Sequence, residues 1–397
     1  MSEPLAGIRV VDLSKILAGP YATMTLADLG ADVIKVEHPD GGDPTRSWGP
    51  PFNGPDATYY LAANRSKRSV TLDLKTPAGQ EAAHRLLDTA DVMVENFRPG
   101  SSLARAFAYD RLRERHPRLV VLHISAFGEH GPLRDEPGYD MVAQAAAGLM
   151  SLTGEPDGAP VRAGSAIGDL AASLFGTIGV VAALLERAST GRGRYVTTSL
   201  YESLLALHIN WATGYFATGE RPRRLGSGHP SLTPYQACRA ADGYFVIAVG
   251  NDAQFRHLAK ALERPEWADD PRYCTNRARV EHRGPLETEL HSVLAGGTVE
   301  HWCTLLKGVG VPVTPIRSLD EVLTSEQTDA LGIVRTVDHP QTGPLQQIAC
   351  PVSFDGVRPP VRSAPPTLGQ HSRHVLTELG YDQADIRRLL GEPPAGA

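Results

Sequence analysis

Residues 7–37 read GIRVVDLSKILAGPYATMTLADLGADVIKVE, and this stretch decides the fold class. A β-branched, apolar run at residues 7–13 predicts a strand. Residues 21–29 have the character of a helix that ends at Gly30, and residues 31–37 predict a second strand. A strand, a helix and a second strand in such a short span are typical of a parallel βαβ unit.

The same alternation continues to about residue 200. Further strands are predicted at residues 70–74, 91–95 and 119–125, and a helix begins at Thr76-Pro77. Thr suits an N-cap, and Pro suits the first helical position. The pattern predicts an α/β fold with a parallel sheet and helices on both faces. No G-x-G-x-x-G follows the first strand, so nothing indicates a dinucleotide site.

The chain changes character after this region. Residues 195–219 are rich in aromatic side chains and predict helix, and a loop dense in Gly, Pro and Arg follows them. Short strands and helices then predict a smaller α+β domain. The predicted organisation is a large domain at residues 1–200, a small domain at 201–330, and a proline-rich segment at 331–397 that returns to the large domain.

Composition excludes several classes of function. The chain has 397 residues, of which 42% are apolar and 21% charged, and its net charge is −6. These values indicate a globular protein without the basic surface that binds nucleic acid. No signal peptide is visible, and the apolar runs are interrupted by glycine and charge, so we expect a cytoplasmic protein with no membrane partner. The four cysteines match no zinc spacing, so no metal is predicted.

A long apolar helix is predicted within residues 164–193, which read GSAIGDLAASLFGTIGVVAALLERASTGRG. Leu170, Leu174 and Ile178 recur there at helical spacing. Asp169 lies near the start, where backbone N–H groups and the helix dipole favour a carboxylate. The ordinary interpretation of such an Asp is an N-cap, and the alternative is a functional carboxylate.

Longer motifs, spread over most of the chain, resemble one known family. They are GIRVVDLSKILAGPYATMTLADLGADVIKVEHPDGGDPTR, NRSKRSVTLDLKTPAGQE, ADVMVENFRPG, GYDMVAQAAAGLMSLTG and AIGD. Together they resemble the class III CoA-transferases, the group of formyl-CoA transferase and the carnitine CoA-transferases, with α-methylacyl-CoA racemase as a relative. GSGHPS followed by PYQAC resembles the branch that uses succinyl-CoA and small dicarboxylates.

The resemblance implies an architecture and an activity. The large domain would be Rossmann-like and built from both chain ends, with the small domain inserted between them and two chains interlocked as a homodimer. The enzyme would move CoA from an acyl-CoA, with succinyl-CoA as a candidate donor, to a small carboxylic acid. A coenzyme A thioester would be the substrate, and no tightly bound cofactor is implied.

By motif match, Asp169 is the implied nucleophile. Its carboxylate would attack the donor thioester, giving a mixed anhydride and then an aspartyl-CoA thioester. With an ordinary pKa of about 3.9, this Asp would already be ionised at neutral pH and would need no base. Gly168 would let the thioester approach the backbone closely. Tyr139 would hydrogen-bond the nucleophile or the anhydride, and Asp140 would either orient its neighbours or cap the helix that follows it.

The implied substrate contacts fall in several motifs. Those for CoA are Ile16, Leu17, Ala18, His38, Leu72, Lys75, Asn96, Phe97, Arg98 and Arg105. A glycine-rich loop with Gly226, Gly228 and His229 would cover the anhydride and exclude water. Arg46 and Tyr59 are candidates for contacting the acceptor acid. Lys75, Arg105 and His229 also have a structural interpretation, as solvated charges and as a loop histidine.

Two other functions are weighed against CoA transfer. The racemase branch has His where this chain has Tyr139, and a Tyr with a pKa of about 10 is a poor base at neutral pH. The second alternative is a non-catalytic CoA-binding protein, which the intact GYD and AIGD motifs disfavour. Leu17 stands where formyl-CoA transferase has Gln, which argues against oxalate or formate as a substrate.

Overall fold

The structure is a computed structural model that describes residues 3–393. The described chain divides into two compact units. The first contains residues 3–149, Ala163–Thr213 and residues 326–393, and the second contains Met150–Arg162 and Gly214–Ser325.

The first unit is built on a six-stranded parallel sheet. Its strands are β1 (Arg9–Asp12), β2 (Asp32–Glu37), β3 (Lys67–Thr71), β4 (Val92–Glu95), β5 (Val120–Ser125) and β6 (Tyr195–Ser199). Their order is β3-β2-β1-β4-β5-β6, and all neighbouring pairs are parallel. This is the order of a doubly wound Rossmann sheet, so the predicted α/β class with a parallel sheet is confirmed.

Helices cover both faces of this sheet. In chain order the helices up to residue 218 are α1 (Ala18–Asp28), α2 (Thr58–Leu61), α3 (Pro77–Asp88), α4 (Ser102–Ala106), α5 (Tyr109–Arg115), α6 (Asp140–Ala146), α7 (Ile167–Thr190), α8 (Leu200–Leu207) and α9 (Ile209–Thr218). Of these, α9 buries no residue and belongs to neither face of the sheet. A 3₁₀ turn at Pro44–Ser47 and a small hairpin of Phe52–Asn53 with Asp56–Ala57 precede α2. The N-cap predicted before α3 is confirmed, because the Thr76 hydroxyl accepts the N–H of Gly79 at 3.1 Å.

Side-chain alternation along the strands produces two apolar cores. Val10 and Leu122 belong to the core that α1, α6, α7 and α8 cover. Val11 and Val121 belong to the core on the other face, against α3, α4 and α5. Because both faces of the sheet are buried, its strands read as continuous apolar runs in the sequence.

Helix α7 is unbroken over 24 residues despite its glycines. Among residues 3–393 it is the one helix long and apolar enough to cross a membrane by length and composition, and 44% of its most apolar window is buried. The prediction that glycine interrupts the apolar runs is therefore wrong here. A Cβ on Gly176 would lie 3.0 Å from Leu122, and one on Gly179 would lie 2.6 Å from Val196, so these glycines let α7 approach β5 and β6.

Two predicted elements are misplaced. The third strand starts at Lys67 rather than residue 70, because the Lys67 ammonium is buried against the Asp12 carboxylate at 3.1 Å. A lysine inside a core strand looks like loop sequence. Residues 195–199 form β6 rather than helix, since their β-branched run pairs with β5.

The division between the units also differs from the predicted boundaries. The first unit continues to Thr213, because α8 packs on α6 and α7. Met150–Arg162, which we expected in the large domain, belongs to the second unit. There the guanidinium of Arg224 donates to the carbonyl of Gly158 at 2.7 Å.

The second unit has a three-stranded antiparallel sheet. Its strands are β7 (Tyr235–Arg239), β8 (Tyr244–Ala248) and β9 (Val313–Pro315), in the order β9-β8-β7. The helices of this unit are α10 (Asp252–Ala261), α11 (Asn276–Glu281), α12 (Arg283–Leu294), α13 (Val299–Gly308) and α14 (Leu319–Leu323), with a 3₁₀ turn at Pro265–Ala268. They enclose a separate apolar core.

The C-terminal part of the chain packs on the first unit. It contains α15 (Glu326–Leu331), an antiparallel hairpin of β10 (Val334–His339) and β11 (Gly343–Ile348), α16 (Ser372–Glu378) and α17 (Gln383–Leu390). Val375 and Ile386 enter the core beside α3. The Arg362 guanidinium donates to the carbonyls of Ala27 and Ala31 at 2.7 and 2.6 Å. The proline-rich connection is therefore ordered.

Candidate active site

A cleft of about 650 Å³ opens at the carboxyl ends of β1, β4 and β5 in the first unit. Strands β1 and β4 flank the point where the strand order reverses, which is where doubly wound sheets bind ligands. The cleft brings together seven of the predicted site residues. They are Ile16, Ala18, Asn96, Phe97, Arg98, Tyr139 and Asp169.

Asp169 is the third residue of α7 and lines the cleft. The helix starts at Ile167, and the N-cap position is held by Ala166. The N-cap interpretation of Asp169 is therefore wrong. No residue between 3 and 393 donates a hydrogen bond to its carboxylate. The carboxylate lies at the positive end of the helix dipole and is available to a ligand in the cleft.

Asp140 holds the first turn of α7. Its Oδ1 accepts the backbone N–H groups of Gly168 and Asp169 at 2.7 and 3.3 Å, and its Oδ2 accepts the Gln144 amide at 2.6 Å. The alternative role, as a cap for its own helix, is wrong. The N-cap of α6 is Tyr139, which makes no side-chain cap bond. Asp140 therefore orients its neighbours by fixing the helix that carries Asp169.

The environment of Asp169 changes its ionisation. Burial, with a smaller contribution from the neighbouring carboxylate of Asp140, raises the pKa of Asp169 to about 7. With a pKa of about 7, Asp169 would be only partly ionised at neutral pH, whereas its ordinary pKa predicted that it is already ionised there. An acid whose pKa is strongly perturbed in a cleft is a typical sign of a functional site.

Gly168 is explained by packing within the protein. A Cβ at this position would lie 3.0 Å from Oδ1 of Asp140 and 3.1 Å from Cδ1 of Leu204. The space beside Gly168 is therefore filled by protein atoms, and the prediction that it admits the thioester is wrong. The glycine lets the Asp140 carboxylate reach the backbone of α7.

Three predicted CoA contacts lie outside the lining of this cleft, at the ends of β2 and β3. Nε2 of His38 is 3.6 Å from Oδ1 of Asp73, which also accepts the N–H of Lys75 at 2.9 Å. The Lys75 side chain is exposed, and its contact with CoA stays a prediction. The Leu72 side chain is 1% exposed in the apolar core and so is not available to a ligand, and a contact of CoA with this residue stays a prediction.

The other predicted CoA contacts differ in their surroundings. Leu17 is the N-cap of α1 and is not among the residues that line the cleft. Phe97 is largely buried and packs on Phe107, with ring centroids 6.0 Å apart. Arg105 lies on α4 with an exposed side chain that donates to the carbonyl of Gly100, so its binding of a CoA phosphate stays a prediction.

Arg46 stabilises the protein itself. Its guanidinium pairs with Glu37 and Asp56, each at 2.8 Å, and lies 3.6 Å from the ring centroid of Tyr60. Only 6% of the side chain is exposed. Two buried carboxylates already neutralise this cation, so the prediction that Arg46 binds the acceptor acid is wrong.

An aromatic group borders the cleft. Trp48 contacts Tyr59 and Tyr139 edge-to-face, with ring centroids 5.5 and 6.0 Å apart. Tyr139 is 64% exposed, and no hydrogen bond joins its hydroxyl to Asp169. Sequence reasoning missed Trp48, whose signal was a lone Trp directly after the motif that contains Arg46.

Two cations that line the cleft were also missed. Lys15 lies three residues after the end of β1, and Arg134 lies in the loop between β5 and α6. The position of Lys15 was a usable signal, because ligands bind outside the carboxyl ends of such strands. No group of three or more His, Cys, Asp or Glu residues within 3–393 is arranged to hold a metal ion.

The predicted covering loop belongs to the second unit. The N–H of Gly226 donates to Gly154 at 3.0 Å, and the N–H of Gly228 donates to Leu225 at 2.8 Å. The ring of His229 packs against Tyr235, and its Nδ1 accepts the N–H of Ser231 at 3.1 Å. A covering role for this loop stays a prediction.

Comparison with known proteins gives a consistent result. The family model described as CoA-transferase family III matches residues 5–372. A mouse protein named succinyl-CoA:glutarate CoA-transferase is 40% identical over 389 residues, covering 98% of this chain and 89% of that protein. The succinate–glutarate CoA-transferase of Agrobacterium fabrum is 39% identical, covering 95% of this chain and 96% of the relative. The crystal structure of a CAIB/BAIF family protein from Brucella suis matches with a TM-score of 0.84 at 38% identity, covering 96% of this chain and all 100% of that one.

Proposed function

Because this chain belongs to CoA-transferase family III and is an acyl-CoA transferase, we propose that it moves CoA from succinyl-CoA to a small dicarboxylic acid such as glutarate. One observation carries the mechanism: the Asp169 carboxylate has no hydrogen-bond partner within residues 3–393 and lines the cleft with a pKa of about 7. The choice of a dicarboxylate is supported by the names of two relatives and by two cations in the same cleft, Lys15 and Arg134. Such cations suit a second carboxylate.

The proposed reaction proceeds through two anhydrides. A carboxylate oxygen of Asp169 attacks the thioester carbonyl, the C–S bond breaks, and CoA leaves as its thiolate. The thiolate then attacks the aspartyl carbonyl, which releases succinate and leaves an aspartyl-CoA thioester. The acceptor carboxylate attacks this thioester, and the released thiolate takes the acceptor acyl group from the second anhydride. Asp169 is regenerated as a carboxylate.

The surroundings of Asp169 support this role. A carboxylate with a raised pKa binds a proton more tightly and is correspondingly more nucleophilic once it is deprotonated. The Asp140 carboxylate already accepts two backbone N–H groups and one side-chain amide, so its contribution is to hold α7 rather than to remove a proton.

We also propose that the enzyme is a cytoplasmic homodimer, with interlocked chains and the Gly226–His229 loop covering the site. An exposed apolar stripe on α7 supports the dimer. Leu174, Phe175, Ile178, Val181 and Leu185 are between 39% and 76% exposed. A continuous apolar surface of this kind is typical of a protein interface. Sedimentation of the Ile178→Asp variant tests this: because interlocked chains must assemble as they fold, loss of the dimer to monomer or aggregate is expected, and an unchanged dimer would contradict this interface.

Trapping of the covalent intermediate tests the mechanism. The protein is incubated with succinyl-CoA and hydroxylamine, digested, and examined by mass spectrometry. An aspartyl hydroxamate is expected on the peptide that contains Asp169 and is not expected in Asp169→Asn. The matched control is Asp329→Asn, which changes an exposed Asp on α15 and is expected to keep the adduct.

Each other outcome points to a different function. An adduct on another residue, or full transfer by Asp169→Asn, overturns the assigned nucleophile. CoA binding with neither an adduct nor transfer to any acid supports a binding protein. Exchange of the α-proton of an acyl-CoA in deuterated water, without transfer, supports a racemase.

A further inference from the structure

The turn that follows β1 has an unusual backbone conformation. Ile16 has a φ of 73°, in the left-handed region that β-branched residues avoid because Cβ crowds the backbone. Lys15, Ile16 and Ala18 line the same cleft as Asp169. A conformation this unfavourable persists only where the surrounding structure imposes it, and such positions cluster at functional sites.

The side chain of Asn96 holds one side of the turn. Its Nδ2 donates to the carbonyl of Lys15 at 2.8 Å, and its Oδ1 accepts the N–H of Lys15 at 3.0 Å. Both polar atoms of the amide are therefore directed at one peptide segment. Asn96 immediately follows β4, so this pair of bonds connects the turns after β1 and β4.

A buried ion pair holds the other side. The N–H of Ile16 lies 3.3 and 3.2 Å from the two carboxylate oxygens of Asp43. Asp43 pairs with the Lys35 ammonium at 3.0 Å, and both side chains are fully buried. Lys35 also donates to the carbonyl of Ser14 at 2.9 Å. The residues on both sides of Lys15 are thus tied to the same ion pair.

We propose that Asn96 and Asp43 are positioning residues, which force the turn at Lys15 and Ile16 into its left-handed conformation and so align one wall of the cleft with Asp169. This rests on the proposed function only in that the wall contacts the acyl-CoA. It differs from the prediction that Asn96 binds CoA, because it assigns the amide the task of holding Lys15, to which each of its two polar atoms makes one hydrogen bond.

A double-mutant cycle with Ile16→Gly tests the proposal, since glycine adopts a positive φ without being forced. In the natural background, Asn96→Ala is expected to lower kcat/KM for overall CoA transfer about 30-fold, equivalent to about 2 kcal/mol. In the I16G background the same substitution is expected to cost no more than about 3-fold, which is about 0.65 kcal/mol. The test compares the loss caused by Asn96→Ala in the natural background with the loss it causes in the I16G background. A change in activity caused by I16G itself therefore does not affect the comparison.

Equal losses in the two backgrounds would overturn the proposal, because a direct contact between Asn96 and CoA does not depend on the residue at position 16. Urea denaturation of all four proteins shows whether each is folded. If Asn96→Ala does not fold, Asn96→Asp takes its place in the cycle, since it keeps the acceptor for Lys15 and removes the donor. The double-mutant cycle measures kcat/KM for overall CoA transfer, so its result can be interpreted whether or not hydroxylamine traps an adduct on Asp169. If no adduct forms but Asn96→Ala causes unequal losses in the two backgrounds, the assignment of Asp169 as the nucleophile is contradicted and the positioning role of Asn96 is not.

Discussion

Oδ1 of Asp140 lies 2.7 Å from the backbone nitrogen of Gly168 and so binds the start of the helix that carries Asp169. One carboxylate is thereby used to place another. The arrangement has an electrostatic consequence, because the negative charge of Asp140 makes ionisation of Asp169 less favourable. Position and pKa of the proposed nucleophile are therefore set together.

The pH dependence of CoA transfer should follow Asp169. Its pKa is raised to about 7, and only the deprotonated form attacks the thioester. We expect kcat/KM to rise with pH through about 7 and to fall to roughly a tenth of its plateau one unit lower. Initial rates from pH 5 to 9 at low succinyl-CoA check this. A flat profile across that range would show that Asp169 does not titrate there or is not the nucleophile.

The same raised pKa predicts a cost in stability. The native state binds the proton of Asp169 more tightly than the unfolded state does. This tighter binding stabilises the native state at pH 4, and the stabilisation is lost as the pH rises through 7. We expect Asp169→Asn to raise the free energy of unfolding at pH 8 by about 1.4 kcal/mol or more, the equivalent of one pKa unit, and to change it less at pH 5. Urea denaturation at the two pH values measures this difference. An equal change at both would contradict it.

Asp140→Asn should shift the pH profile without releasing the helix. The Asn oxygen still accepts the N–H of Gly168, but the charge that helps to raise the pKa of Asp169 is removed. We expect the midpoint of the kcat/KM profile to move to lower pH. Asp110→Asn, on the exposed face of α5, is the control and should leave the midpoint in place. An upward shift in Asp140→Asn would show that the charge does not act as described.

The effect of a Gly→Ala substitution in a helix on stability should depend on which atoms the new Cβ would meet. Gly179→Ala should lower the free energy of unfolding by about 1–3 kcal/mol, because its Cβ would lie 2.6 Å from Val196. Gly214→Ala meets nothing within 4 Å and should raise it by about 0.5–1 kcal/mol through helix propensity. Thermal or urea denaturation compares the two. Similar effects at both positions would mean that α7 does not pack on β6 as closely as described.

Removing the Arg46 charge should harm folding rather than substrate choice. Arg46→Met leaves the buried carboxylates of Glu37 and Asp56 without their partner, and we expect a loss of about 3–5 kcal/mol in the free energy of unfolding. The ratio of kcat/KM values for glutarate and a monocarboxylic acid should be unchanged in the folded enzyme. A loss of kcat/KM for glutarate that is larger than the loss for the monocarboxylic acid would show that Arg46 binds the acceptor acid after all.

Much of the fold could be predicted because it depends on local periodicity. The strands at β1, β2, β4 and β5 were found within one or two residues, since they are short apolar runs between turn residues. β3 was misplaced because it begins with Lys67, whose burial depends on Asp12 from a distant part of the chain. The hairpin of β10 and β11 was not predicted, since most residues of its two strands are exposed or half-buried and give no clear apolar pattern. Helix α17 was also missed, although Ile386, Leu389 and Leu390 recur there at helical spacing.

The candidate site was predicted unevenly for a similar reason. Motifs identified Asp169, Tyr139 and the segment from Asn96 to Arg98, and the structure brings them to one cleft. Motifs could not tell a side chain that faces a ligand from one that faces the protein. Arg46 and Leu72 are residue types that often bind ligands. In this protein the Arg46 guanidinium is held in buried ion pairs, and the Leu72 side chain packs in the apolar core.

The sequence by itself determined the α/β class, through the alternation of short apolar strands with helices, and the family, through motifs that end in Asp169. Only the tertiary structure decided the pKa of that carboxylate. Its pKa depends on burial and on Asp140, which is 29 positions away in the chain. The conformation of Ile16 likewise depends on Asp43 and Asn96. Electrostatic and hydrogen-bond energies are set by distances in space, and the order of residues along a chain does not contain those distances.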